Sequence, residues 1–282
     1  MTTHYLVDVS WMLYRGYYAA GHVWEEFPEI HFLVKKIESW LSRQDTVVHL
    51  ALDGWNTKGK RLLGEQYKSG RHQGVCVYNV YAGLATFVSL LHTDRIHVYF
   101  NNDYESDEII FTLSRTLEGR KRIISGDKDL LQSLKPDVII ESAKGLITTH
   151  ESYIYEYADK FLEVPPEKLP IFRAIAGDPS DSLKPPVPRF PHKLAAKLIN
   201  AIDYNGECPT IEQLNNLKSS GNYSDSELRW IDKLIESYTP FNLNFNVMKL
   251  NVITDDISNK YRDSDVEFSD FLKQKVLHLN TI

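Results

Sequence analysis

Val47-Val48-His49-Leu50-Ala51-Leu52-Asp53 is a short run of mostly apolar and β-branched residues that ends on an acid. The arrangement occurs twice more, as Tyr5-Leu6-Val7 before Asp8 and as Ile123-Ile124-Ser125-Gly126 before Asp127. Short runs of this composition, bounded by turn residues, read as buried strands. Stretches of helical character separate them, at 28–43, 73–91 and 105–117. Alternating strands and helices predict an α/β fold with a mostly parallel sheet flanked by helices on both faces. Ligands of such sheets bind beyond the carboxyl ends of the strands. Asp8, Asp53 and Asp127 are therefore expected along one edge. Residues 137–142 and 145–150 are expected to continue the sheet as a hairpin.

After residue 150 the texture changes to proline-broken helices at 151–162, 166–176 and 190–201. Residues 205–225 are rich in Asn, Ser and Gly and read as a loop, with helices again at 225–237 and 265–278. Three parts are expected: an α/β part over 1–150, a helical part over 151–205 and a C-terminal helical segment over 206–282. With 43% hydrophobic and 25% charged residues in 282, the chain is neither disordered nor fibrous. Charges or prolines interrupt every apolar run well short of the about 18 residues a membrane span needs. The start, MTTHYLVDVS, has no basic region leading into an apolar stretch, so it reads as a strand and not a signal peptide. Two cysteines, Cys76 and Cys208, are too few for a zinc cluster or a disulfide framework, and a reducing, cytoplasmic setting is expected.

The net charge of −6 argues against a general nucleic-acid coat protein, but the charge is unevenly placed. Lys58, Lys60, Arg61, Lys68 and Arg71 oppose only Glu65 within 54–72. Lys184, Arg189, Lys193 and Lys197 stand without an acid within 182–198. The acids gather elsewhere. Glu105, Asp107 and Glu108 open a helix, Asp127 and Asp129 flank Lys128, and Asp178 and Asp181 lie three apart in GDPSD. Each group has an ordinary explanation in helix capping or turn formation. Their joint placement does not, because like charges a few Å apart repel by about 4 kcal/mol at an effective dielectric near 20. Oxygen-preferring divalent cations, Mg²⁺ or Mn²⁺, would neutralise such a group. Two of them about 4 Å apart can clamp the attacking and leaving oxygens of a phosphodiester.

These groups, in this order, carry a resemblance to a known family. LVDVSWMLYRGYYA, ALDG with EQYKSGR, YESDE, SGDKDLLQSL and IAGDPSDSLKPPVPRFPHKLAAKLI resemble, block by block over residues 4–200, the 5′-nucleases. That family includes flap endonucleases, the 5′-nuclease domain of bacterial DNA polymerase I and phage RNase H-type 5′→3′ exonucleases. The resemblance implies a PIN-like catalytic domain over 1–150 and a helix-two-turn-helix that binds duplex within 151–205. It implies one metal site at Glu105, Asp107, Glu108 and Asp53, supported by Asp8, and a second at Asp127, Asp129, Asp178 and Asp181. It implies further that Lys68 and Arg71 act at the scissile phosphate and that Tyr67 stacks on a terminal base.

The sequence departs from the family in three places. Glu108 replaces an aspartate, and Ser182 an asparagine. The glycine-rich hairpin that offers backbone N–H groups to phosphates here reads Lys184-Pro185-Pro186-Val187-Pro188-Arg189-Phe190-Pro191. Four prolines remove four donors, so the family's backbone grip on duplex and its K⁺ site lose their ligands. Lys184, Arg189, Lys193 and Lys197 are expected to hold phosphates instead. Between Arg71 and Glu105 there is room for one helix of an arch. The expected protein is a stand-alone, monomeric, Mg²⁺- or Mn²⁺-dependent 5′-nuclease. It would act on duplex DNA with a 5′ end or flap, or on an RNA/DNA hybrid, in host cytoplasm if phage-encoded. Two alternatives stay open: a DNA-binding protein of the same fold with weak or no turnover, and a PIN-type ribonuclease.

Overall fold

The computed structural model describes residues 1–20, 26–69, 81, 83–142, 145–258 and 266–282. Its centre is a six-stranded sheet: β1 Thr3–Asp8, β2 Thr46–Ala51, β3 Ile96–Tyr99, β4 Arg120–Ile124, β5 Val138–Glu141 and β6 Ile147–Thr148. The order across the sheet is β3-β2-β1-β4-β5-β6. All neighbours run parallel except β5 and β6, which form the expected antiparallel hairpin. Successive residues of β1 alternate between the two faces, as a strand buried on both sides requires. Tyr5 and Val7 face one core with Val48 and Leu50, and Leu6 faces the other with Ile123.

Helices α1 Val9–Ala20 and α2 Pro28–Leu41 cover the first face, with α3 Lys58–Leu63 and α4 Leu84–Ser89 following β2. Pro28 opens α2 at a position where its missing N–H costs nothing. Helix α5, Ser106–Thr116, covers the second face through Ile109, Ile110 and Leu113. That core runs on into the helical half: α6 Tyr153–Glu156, α7 Ala158–Phe161, α8 Leu169–Ala176, α9 His192–Ala201, α10 Ile211–Lys218, α11 Asp225–Glu236 and α12 Tyr238–Met248. The last helix, α13 Asp270–Leu279, returns to the first face, where Leu272, Val276 and Leu279 pack beside α2.

Three elements differ from expectation. Residues 205–225 are not a continuous loop. They hold α10, whose Thr210 hydroxyl accepts from Gln213 N while the Gln213 side chain accepts from Thr210 N. This reciprocal cap outweighs the polar composition. Strand β3 was not expected at all. It pairs with β2 and is shielded at its end, where Phe100 N donates to Ile257 O at 2.7 Å. Helix α12 was likewise not expected. Its Asn-rich sequence is held helical by burial of Phe241, Asn244 and Phe245. Of the arch helix expected over 73–91, residues 73–80 and 82 lie outside the described residues. The rest holds α4.

Candidate active site

The strand order puts the carboxyl ends of β1, β2 and β4 side by side, which brings Asp8, Asp53 and Asp127 to one edge. They line a cleft of about 920 Å³ together with Glu105, Asp107, Lys68, Lys128 and Arg173. The N-terminus of α5 points into it. Glu105 and Glu108 form a capping box there, so both acids have a local structural use. Ser106 N donates to Asp53 Oδ1 at 2.8 Å and Glu108 N to Asp107 Oδ1 at 2.7 Å, which satisfies helix-end donors with carboxylates.

Asp8 is buried and accepts from Trp11 N at 3.0 Å and from the Ser125 hydroxyl at 2.8 Å. Burial and the neighbouring Asp53 push its carboxyl up to about 7. Asp53 also accepts from the Ser10 hydroxyl. Asp107 is raised well above the usual carboxylate range by desolvation, Glu105, Asp127 and Glu108. Asp129 is pushed up to about 7 by burial, with Arg173 opposing the shift and Asp127 adding to it. Several acids that cannot all ionise cheaply in one place are a site short of positive charge.

Two triads stand out. Oxygen atoms of Asp107, Asp127 and Asp129 all lie within 4.8 Å of one another, and so do those of Asp129, Asp178 and Asp181. Asp129 belongs to both. Asp127 thus lies with Asp107, while Glu105 and Glu108 are paired with cations. Lys68 Nζ lies 2.8 and 2.9 Å from the two Glu105 oxygens, and Lys58 Nζ lies 3.2 Å from Glu108. Arg173 spans Asp129 and Asp178. The donor set is all carboxylate oxygen, which suits Mg²⁺ or Mn²⁺ and not a thiolate- or imidazole-preferring metal.

Tyr67 lies against Gly59, where any side chain would run into the ring: a Cβ there would be 2.2 Å from Tyr67 Cζ. Its hydroxyl donates to Glu105 Oε2 at 2.9 Å, and burial with Glu105 raises the phenol above its ordinary range. Its ring packs against the Gly59 backbone and also lines the cleft. The rest of the aromatic wall of the cleft comes from Trp11, Tyr14 and Tyr18 of α1, with Trp55 and Tyr81. The spacing of Trp11, Tyr14 and Tyr18 on one helix face was the sequence signal for it. Arg71 lies outside the described residues. Lys184, Arg189, Lys193 and Lys197 are all exposed; Lys197 Nζ pairs with Glu227 at 2.9 Å and lies 4.5 Å from the Tyr223 ring centre.

Two residues not singled out in the sequence hold the site together. Gln132 Nε2 donates to Met248 O at 2.9 Å, and its Oε1 accepts from Leu250 N. Asn244 Nδ2 donates to Ala174 O and to Lys184 O, tying α12 to α8 and to the proline-rich hairpin.

A parallel sheet with its acids gathered at the carboxyl edge, under an aromatic and cationic cleft and joined to a helical half, defines a protein of the 5′-nuclease class. The model of the 5′-3′ exonuclease N-terminal resolvase-like domain matches residues 3–159, and the chain belongs to that family. DNA polymerase I of Bacillus caldotenax is 30% identical over 203 residues, 69% of this chain and 23% of the relative. The chain thus spans about a quarter of the length of the curated relatives it matches. The bacteriophage T5 flap endonuclease, solved as a pseudo-enzyme–product complex with DNA and metal ions, superimposes with a TM-score of 0.63. The match has 16% identity and covers 99% of this chain and 100% of that one. Human GEN1, solved with Holliday junction DNA, gives a TM-score of 0.57 at 15% identity, covering 99% of this chain and 68% of that one. Among the described residues no helix is long and apolar enough to cross a membrane.

Proposed function

We propose that this protein is a divalent-metal-dependent 5′-nuclease that hydrolyses phosphodiesters near the 5′ end or flap of a duplex, RNA-primed ends included. The observation that carries the reading is the pair of carboxylate triads sharing Asp129, with Asp107 and Asp127 of the first triad lining the cleft. Asp107, Asp127 and Asp129 would hold one ion, and Asp129, Asp178 and Asp181 the other. Bound there, Mg²⁺ or Mn²⁺ supplies the charge that makes water a nucleophile and steadies the leaving oxygen.

The chain's own residues do the rest. Asp8 and Asp53 fix the start of α5, and so the direction of Asp107, through Ser106. Lys68 and Arg71 stabilise negative charge developing on the phosphate. Lys68 pairs with Glu105. Exposed Lys184, Arg189 and Lys193 grip the duplex with side chains in place of the hairpin's missing backbone donors.

The test is digestion of a 5′-labelled flap, a nicked duplex and an RNA-primed duplex with Mg²⁺ or Mn²⁺, reading product lengths, with single-stranded RNA in parallel. Cleavage of the duplexes near the 5′ end is expected. Cleavage of the single-stranded RNA alone would replace this reading by a PIN-type ribonuclease. No cleavage of any substrate, with duplex binding retained, would leave a binding protein.

A further inference from the structure

The second triad already contains a cation belonging to the chain. Arg173 sits on the last turn of α8, and its Nη1 pairs with Asp129 Oδ1 while Nη2 pairs with Asp178 Oδ2. These are two of the three carboxylates whose oxygens converge. The group is enclosed: the side chain of Arg173 is 13% exposed and those of Asp129 and Asp178 are 9% and 10%. A planar guanidinium forking across two carboxylates meets the same electrostatic demand that a divalent ion would meet. It also holds two of the same three carboxylates, and two cations a few Å apart repel strongly in such a place.

We infer that Arg173 is a stand-in cation that closes the second triad in the metal-free protein and must swing out before a divalent ion enters. The inference rests on the proposed reading of these acids as metal ligands. The arginine has somewhere to go, since it lines the open cleft beside Lys128. There its head group adds positive charge where a phosphate would lie. The two triads are then loaded in order. The first requires no rearrangement of Arg173. An ion there draws on Asp129, weakens the hold of Asp129 on Arg173 and so favours opening of the second.

The experiment is titration of the metal-free full chain with Mn²⁺ in the absence of nucleic acid, following free Mn²⁺ by its paramagnetic resonance signal. The proteins are the wild type, Arg173→Gln, Asp107→Asn and Asp178→Asn. If Arg173 fills the triad in about nine molecules of ten, the apparent dissociation constant of that site stands about tenfold above its intrinsic value. Arg173→Gln is therefore expected to tighten the weaker Mn²⁺ site about tenfold and, because Asp129 serves both triads, to tighten the stronger one by a smaller factor. The variant should also melt lower without metal, because Asp129 and Asp178 lose their partner, and recover on adding Mn²⁺. A weaker site that is unchanged or looser in Arg173→Gln overturns the inference. Should Arg173→Gln fail to fold, Arg173→Lys keeps the charge but cannot fork across both acids. It should tighten the site by a smaller factor, and no tightening overturns the inference equally. Failure of the underlying reading looks different: Asp107→Asn and Asp178→Asn would then bind Mn²⁺ as the wild type does.

Discussion

Asp107 shows at a single position why a bound cation would steady this site. Its carboxyl is raised by desolvation and by three neighbouring acids, so ionisation costs stability in the metal-free fold. Replacing it by asparagine keeps the shape and removes the charge. Asp107→Asn is therefore expected to melt higher than the wild type in chelator, since each unit of pKa elevation relieved is worth about 1.4 kcal/mol at neutral pH. The same change should cut duplex cleavage by more than about a hundredfold, at least the scale of disturbing a metal's outer partners. A thermal melt in chelator and a flap-cleavage rate check both halves. A variant that is stabilised yet fully active would remove Asp107 from the metal ligands. Glu105 offers a contrast, since Lys68 and Tyr67 both meet its oxygens.

Elements carry the next set of consequences. In the proline-rich hairpin Arg189 has φ 61°, the left-handed region that glycine occupies without strain. The hairpin therefore keeps a glycine-like backbone at a position filled by a cation. Arg189→Gly is expected to leave stability unchanged or raise it by up to about 1 kcal/mol. It should weaken duplex binding and flatten the salt dependence by about one unit. Denaturant melts and binding isotherms at several salt concentrations separate the two effects; loss of stability with an unchanged slope would make Arg189 structural.

Across β1, β2 and β3 runs a chain of buried rings, in which His49 Nε2 meets His4 Nδ1 at 2.9 Å, His4 Nε2 meets Glu118 O at 2.9 Å and Tyr99 Oη meets His49 Nδ1 at 3.1 Å. The carbonyl can only accept, so His4 donates to it. His49 then donates to His4 and Tyr99 to His49, with both imidazoles neutral. Desolvation lowers both histidines, His49 to about 3, with Lys121 and His97 opposing further positive charge. A histidine whose folded pKa is depressed gives stability above its unfolded value near 6.5 that is lost as pH falls below it. Stability should thus drop from pH 7 to pH 5 by up to about 1.4 kcal/mol per pH unit per histidine. His49→Gln should shallow that slope. Melting across this range, with and without the substitution, is the check.

The central strands were legible because β1, β2 and β4 end on acids after apolar runs. Strand β3 has only four residues, and α12 is helical through burial of Phe241 and Phe245 more than through propensity. The acids of the site were legible too. Their pairing with cations was not, since Arg173 reaches Asp129 across 44 positions and Lys58 reaches Glu108 across 50.

Taken whole, the molecule is two halves that meet at Asp129. Asp107 lies in α5 and Asp127 follows β4, and Asp178 and Asp181 follow α8 in the helical half. Between them Asp129 begins a 3₁₀ turn, Asp129–Ser133, whose Gln132 also anchors the chain after α12. On the proposed reading, an ion in the second triad would be a bond between the halves as well as a reagent. Binding to the folded state alone stabilises by about 2.7 kcal/mol at a hundredfold excess over the dissociation constant. That gain should appear where the ion ties the halves together. Amide hydrogen exchange in α8, α9 and the segment 178–190 is expected to slow on adding Mn²⁺, more than in β1 or β2, whose strands are already in the central sheet. In Asp181→Asn, which belongs to the second triad alone, the slowing over 169–201 should vanish while Mn²⁺ still protects the start of α5 beside Asp107. Uniform protection of both halves in that variant would mean that the metal binds only the sheet half, and that Asp178 and Asp181 serve the turn they sit in.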